Sequence, residues 1–148
     1  LHTMDSYPQP LKFEGICLDN NIDTSPNYDR VDERILTTTD SIVSELVYTD
    51  LFRSICPVTS QPDWASICIK YKGNQIDHHH LLSYLLSFRK HPEFHEQCVE
   101  RIFCALQDKC QPTALEVYAC FNRRGGIFIN PYRFANDSTL DLITHFRQ

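Results

Sequence analysis

The stretch CPVTSQPDW, which starts at Cys56, places a thiol and the carboxyl group of Asp63 seven residues apart. Pro57 and Pro62 lie within it, and each proline fixes φ and removes a backbone donor, so we predict a rigid loop. A thiolate is a nucleophile and a carboxyl group can donate a proton, so the pair could perform covalent chemistry. Arg53 is close enough in sequence to stabilise the thiolate. Taken alone, Cys56 is typical of a core thiol and Asp63 of a turn; their shared loop favours the chemistry.

A second candidate group lies in HPEFHEQC, which starts at His91. His91 and His95 are four residues apart, as in some metal sites, but no third ligand has a recognisable spacing, so we predict no metal. Glu96 either complements the positive end of a helix or accepts two parallel hydrogen bonds from a guanine-like base. His95 could donate or accept at the same ligand.

The third candidate is RRGG, formed by Arg123, Arg124 and two glycines. Such a stretch is a plain glycine turn about as often as it is a phosphate site. Two arginines beside flexible backbone could hold an anionic cofactor.

Composition describes one soluble domain. The chain has 148 residues, of which 42% are apolar and 22% charged, and its net charge of −5 argues against a nucleic-acid-binding surface. It has no apolar run long enough for a membrane helix and no visible signal peptide. The seven cysteines form no C-x-x-C pair, so we predict reduced thiols in the cytoplasm.

Apolar periodicity predicts four strands and two helices. The strands are SIVSELVYT at residues 41–49, SICIKYKG ending at a Gly73-Asn74 turn, LEVYACF at 115–121, and IFI at 127–129. The first helix begins after Asp77, a good N-cap residue, and ends near His91. Pro92 is expected to be the first residue of the second helix, which closes at residues 111–112. Its predicted buried stripe is Phe94, Cys98, Ile102 and Leu106.

These elements predict an α+β fold, with an antiparallel four-stranded sheet, two helices packed on one face, and the order ββααββ. We place a boundary at residue 40. Residues 1–40 are expected to be extended segments and loops, the tail of a preceding module, and residues 41–148 to be the catalytic domain.

Three stretches together, ICPVTSQPDWASI, SFRKHPEFHEQCVERIF and RRGGIFINPYR, resemble the NADPH-dependent 7-cyano-7-deazaguanine reductases over roughly residues 41–134. That family reduces a nitrile to an aminomethyl group in the biosynthesis of the tRNA nucleoside queuosine. It belongs with the tunnelling-fold (T-fold) enzymes, relatives of GTP cyclohydrolase I. The stretch QCVERIF is most similar to the C-terminal half of the longer, two-module form.

The resemblance implies a role for each candidate residue. Cys56 would attack the nitrile carbon to give a thioimide, and Asp63 would donate a proton to the nitrile nitrogen. His95 and Glu96 would bind the deazaguanine, and NADPH would deliver hydride twice. Arg123 and Arg124 are our candidates for the cofactor phosphates.

The resemblance also implies partners. The one-module enzymes carry a Glu-Ser-Lys-rich cofactor segment where this chain has IDHHHLLSYLLSFR. In the two-module form that segment lies in an N-terminal module, which we expect this chain to lack, so the chain alone is not expected to be a competent reductase. We expect self-association, a small-molecule substrate, and no direct binding of nucleic acid or membrane.

Two other functions stay open at this stage. The chain could be a T-fold module that binds a purine- or pterin-like base without turnover. It could also be a cyclohydrolase-like zinc enzyme that uses His95 and a cysteine.

Overall fold

The computed structural model describes residues 11–22, 29–136, 143, 145, 147 and 148. Its strands are β1 (Ile16–Cys17), β2 (Thr38–Ile55), β3 (Pro62–Ile76), β4 (Ala114–Phe121) and β5 (Tyr132–Ala135). Its α-helices are α1 (His78–Leu86) and α2 (His95–Cys110). Short 3-10 helices cover Leu18–Asn21, Glu33–Ile35 and Ser87–Lys90.

All five strands form one sheet in the order β1-β2-β3-β4-β5. The last four strands pair antiparallel, whereas β1 pairs parallel to β2, with Ile16 opposite Val47. The α+β class with two helices is therefore confirmed, but the predicted count of four strands is wrong. A two-residue strand such as β1 is too short to show an alternating pattern.

Both helices pack on one face of the sheet. That face carries Ile67, Ile69 and Tyr71 of β3, as their alternation predicted, and α2 covers it with Cys98, Ile102 and Leu106. The Asp77 side chain accepts a hydrogen bond from the backbone N–H of His80 at 2.9 Å and caps α1, which confirms the predicted helix start. After α1, the 3-10 helix ends at Lys90, and His91 has extended backbone, as the following proline requires.

Three differences from the predicted boundaries lie at or near prolines. Pro62 is the first residue of β3, so Asp63 lies on a strand and the predicted loop shortens to residues 56–61. Pro92 lies before the second helix, which begins at His95, and Phe94 is an exposed flanking residue instead of a core residue. The fourth predicted strand at 127–129 is wrong, because strand structure resumes after Pro131. Strand β3 also continues beyond Gly73 to Ile76.

The opposite face of the sheet is covered as well. Phe13 packs with Cys68, Tyr118 and Cys120 in a second buried cluster. Leu18 and Leu36 belong to the main core. The described part of segment 1–40 therefore shares the core of the rest, while residues 1–10 and 23–28 lie outside the described residues. That residues 1–40 are the tail of a preceding module stays a prediction.

Neither helix in the described part of the chain has the length and apolar character needed to cross a membrane.

Phe52 connects the core to the end of the sheet where β4 finishes. It is buried, and its ring lies 5.3 Å from Phe88 and 6.1 Å from Phe121 between centroids. We expect Phe52→Ala to lower the free energy of unfolding by about 3–5 kcal/mol, because it leaves a cavity among aromatic rings. Urea denaturation followed by circular dichroism measures this change.

The matched control is Ile42→Ala, at an exposed position on the same strand. We expect a change within about 0.5 kcal/mol there. Equal losses for the two variants would contradict the described core.

Candidate functional site

Cys56 lies in a tight connection between β2 and β3. Its backbone N–H donates to the Gln61 carbonyl oxygen at 2.8 Å, and its own carbonyl accepts from the Ser60 N–H at 2.9 Å. Ser60 adopts a positive φ of 58°, which closes the turn. The thiol is partly exposed and its backbone is fixed from both sides.

The surroundings of Cys56 favour the thiolate. Hydrogen bonds from the Thr59 side chain, then from the backbone N–H groups of Thr59 and Val58, and a contact with Arg124, lower the pKa of the Cys56 thiol to about 7. Burial instead raises the pKa of Cys98 to about 12. Arg53 was the residue predicted to stabilise the thiolate. Its side chain instead donates to the Arg89 carbonyl oxygen and lies over the Trp64 ring.

Asp63 is nearly enclosed, with 5% of its side chain exposed. Its Oδ2 lies 3.2 Å from His95 Nε2, and its Oδ1 lies 2.9 Å from Arg124 Nε. A buried carboxyl group is stable only when it is paired and hydrogen-bonded, and these two side chains supply the partners.

The start of α2 holds His95 in place. The histidine ring stacks on Phe121 at the end of β4, with centroids 3.8 Å apart and planes 7° from parallel. The chain just before α2 pairs with the end of β2: Ile55 N–H donates to His91 O, and Glu93 N–H donates to Ile55 O. Cys56 follows Ile55 directly, so the same backbone bonds set the position of the thiol and of the histidine.

Arg124 is the member of the site whose contacts the sequence did not reveal. Besides Asp63, it donates to Thr59 Oγ1 at 3.2 and 3.3 Å and to Gln61 Oε1 at 3.0 Å. The sequence feature that could have indicated its position is the Gly-Gly pair that follows it. Such a pair favours a tight two-residue turn, which fixes the backbone of the preceding residue.

The remaining predicted residues lie at the rim. Glu96 is exposed in the first turn of α2, next to His95. Arg123 is exposed and, with Asp63 and Arg124, lines a cleft of about 360 Å³. The structure thus joins Asp63 directly to His95 and Arg124, and Cys56 contacts the same Arg124, whereas Glu96 and Arg123 are open to solvent.

Both histidines of the metal hypothesis have carboxylate partners. His91 Nε2 lies 3.2 Å from Glu93 Oε2, and His95 Nε2 lies on Asp63. Within the described ranges, no three His, Cys, Asp or Glu side chains are grouped closely enough to hold a metal ion.

Comparison with protein-family models identifies a family that this chain matches. The family described as QueF-like protein matches residues 62–139, which is more than half of the chain. A solved structure, the archaeosine synthase QueF-Like in the apo form, is similar in fold, with a TM-score of 0.57 and 14% identity. That likeness covers 68% of this chain and 99% of the other.

Curated relatives are much more similar in sequence, and each is named NADPH-dependent 7-cyano-7-deazaguanine reductase. The relative from Legionella pneumophila (strain Lens) is 49% identical over 87% of this chain and 45% of its own length. The relative from Buchnera aphidicola subsp. Schizaphis graminum (strain Sg) is 51% identical over 82% of this chain and 47% of its own length. The relative from Azoarcus sp. (strain BH72) is 43% identical over 91% of this chain and 48% of its own length. The chain therefore spans about half the length of the curated relatives it matches.

The lowered pKa of Cys56 predicts how its reactivity depends on pH. Alkylation by iodoacetamide, located at Cys56 by tandem mass spectrometry, should rise with pH and reach half its maximal rate near pH 7, because the thiolate is the reacting form. Buried Cys98 serves as the internal control and should stay unmodified in the folded protein. A half-maximal rate near pH 8.5 or above, the range of an ordinary thiol, would contradict the described surroundings.

Proposed function

Because the chain belongs to the QueF-like protein family, we propose that it is the catalytic half of an NADPH-dependent nitrile oxidoreductase. Its substrate is 7-cyano-7-deazaguanine, and its product is 7-aminomethyl-7-deazaguanine, the queuosine precursor. The names of the relatives support this reaction. The observation that carries it is the partly exposed Cys56 thiol of lowered pKa, which is connected to the enclosed Asp63 carboxyl group through Arg124, a residue that contacts both. We assign the sheet and its two helices to the tunnelling fold.

The first chemical step is addition of sulfur to the nitrile. The Cys56 thiolate forms a C–S bond with the nitrile carbon, and the electron pair displaced from the C≡N bond moves to nitrogen. The Asp63 carboxylate takes up the proton that the Cys56 thiol releases and passes it to that nitrogen, which gives a neutral thioimide. His95 can return a proton to Asp63 through their 3.2 Å contact. A nitrile accepts hydride poorly, whereas a thioimide that can be protonated accepts it better.

Residues in the first turn of α2 bind the substrate. Glu96 is exposed, and its carboxylate can accept from both the ring N–H and the NH₂ of the deazaguanine. His95, which precedes it, has Phe121 stacked on one face of its ring. Together they orient the base so that its nitrile reaches Cys56.

The cofactor site draws on the exposed arginine of the RRGG turn. When bound, NADPH supplies the hydrides that reduce the thioimide carbon, and the C–S bond breaks as the amine forms. Arg123 is exposed at the cleft beside Asp63, where its guanidinium fits a phosphate group. We propose that self-association and a second module, as in relatives of about twice the length, complete this site.

One observation favours the alternative of a base-binding module without turnover. His78 pairs with Glu45 at 2.7 Å, and His80 with Thr37 at 2.7 Å. These side chains occupy the helix start where the one-module enzymes carry their cofactor segment.

An intact-mass experiment separates the two functions. Incubation with 7-cyano-7-deazaguanine without NADPH should raise the mass of the chain by the full mass of the nitrile, because addition expels no atoms. Cys56→Ala should abolish the adduct. Cys104→Ala replaces an exposed cysteine on α2, away from the site, and should retain the adduct. Binding of the nitrile by calorimetry with no mass increase would favour the module without turnover.

Glu96→Gln tests the binding role. Replacing one carboxylate oxygen by an NH₂ group removes a charged acceptor, so we expect affinity for the nitrile to fall about 10- to 100-fold. Calorimetry in the Cys56→Ala background measures binding without adduct formation. The control is Gln97→Ala at the next exposed position, which should bind as the parent does. Equal affinities for Glu96→Gln and its parent would remove Glu96 from the site.

A further inference from the structure

Glu93 joins the end of β2 to helix α2. We propose that Glu93 is a positioning residue: it holds residues 91–94 rigid, and this segment sets the position of Cys56 relative to the first turn of α2, which binds the base. The inference rests on the proposed function for the roles of Cys56 and of that turn. Glu93 acts through these neighbours and takes no part in the chemistry itself.

The backbone of the 91–94 segment pairs with the last residue of β2. The Ile55 N–H donates to the His91 carbonyl oxygen at 3.0 Å, and the Glu93 N–H donates to the Ile55 carbonyl oxygen at 3.1 Å. Cys56 follows Ile55, and His95 follows the segment directly. These two bonds therefore fix the nucleophile and the helix start to each other only as firmly as the segment itself is held.

Helix α2 begins at a residue that cannot cap it. The N-cap residue is Phe94, and its ring has no acceptor for the N–H groups of the first turn. These N–H groups have no partner within the helix, so the first turn unwinds more readily when the N-cap side chain cannot bind them. That turn carries His95 and Glu96, the residues proposed to bind the base. A contact outside the first turn can supply the missing restraint.

The Glu93 side chain makes such a contact. Its carboxylate accepts from Arg101 Nε at 3.0 and 3.3 Å and from Arg101 Nη2 at 3.1 Å, and Arg101 lies in the second turn of α2. Its Oε2 also lies 3.2 Å from His91 Nε2. One carboxylate thus ties the beginning of the 91–94 segment to the body of the helix.

This carboxylate differs from one in an ordinary surface ion pair. Exposed pairs contribute little because water and salt screen them, but only 12% of the Glu93 side chain is exposed, and both of its oxygens have partners. An arginine that meets a carboxylate through two nitrogens fixes its direction as well as its distance. The pair of Arg133 with Glu100, at 2.9 Å, is about half exposed at both ends and provides a matched control on the same helix.

The first test measures adduct formation by intact mass over a range of 7-cyano-7-deazaguanine concentrations. Glu93→Gln should lower the maximal rate about tenfold and raise the half-saturating concentration, because the bound nitrile is no longer held at the thiol. Glu100→Gln should leave both constants as in the parent. Circular dichroism checks that each variant is folded at the assay temperature, so that lost stability does not account for a changed constant.

Arg101 provides the conservative comparison. Arg101→Lys keeps the charge but replaces a two-nitrogen contact by a single ammonium group, so we expect an intermediate maximal rate. Arg101→Gln combined with Glu93→Gln should be no slower than Glu93→Gln alone, since both changes remove the same contact. Full additivity of the two losses would overturn the role of this contact.

The second test needs neither nitrile nor cofactor. Amide hydrogen exchange followed by NMR should show exchange about tenfold faster at positions 55 and 93 in Glu93→Gln, with no change at Ile69 in the core. Unchanged exchange at positions 55 and 93 would overturn the proposal. Faster exchange with unchanged adduct constants would make Glu93 a structural residue and would also overturn it.

The two tests separate this proposal from the proposed function. A parent chain that forms no adduct contradicts the proposed function, whereas the exchange rates still decide whether Glu93 holds the 91–94 segment. A parent that forms the adduct with constants equal to those of folded Glu93→Gln leaves the proposed function intact and contradicts the positioning role.

Discussion

The site depends on one carboxylate that is almost removed from water. Asp63 has 5% of its side chain exposed, so its charge is stable there only with partners, and it has His95 on one oxygen and Arg124 on the other. The three residues come from β3, α2 and the turn after β4. Pairing this carboxylate therefore requires the sheet, the second helix and the Gly-Gly turn to be assembled correctly.

The same assembly also positions Cys56, the nucleophile of the proposed reaction. Ile55 exchanges backbone hydrogen bonds with His91 and Glu93, which fixes the end of β2 to the chain that enters α2. Cys56 follows at once, with its N–H bound to Gln61. A rigid backbone on both sides lets weak donors, a hydroxyl and two amide N–H groups, act on the sulfur without losing their alignment.

The sequence predicted those features that follow from local periodicity. The alternation along β3 and β4 and the Asp77 cap depend on neighbouring residues, so the core faces and the start of α1 were predicted correctly. The two-residue strand β1 and the extent of β3 depend on pairing partners distant in sequence. The same holds in the site. Cys56 and Asp63 are seven positions apart and could be related from the sequence, but the contact between Asp63 and Arg124 joins residues sixty-one positions apart.

The most direct test of the account is a crystal structure of the chain after incubation with 7-cyano-7-deazaguanine. We predict continuous density between the Cys56 sulfur and the former nitrile carbon. The nitrogen should lie about 3 Å from Asp63, within hydrogen-bonding distance, with Arg124 still paired to that carboxylate. Base bound elsewhere, or an adduct whose nitrogen points away from Asp63, would contradict the central claim.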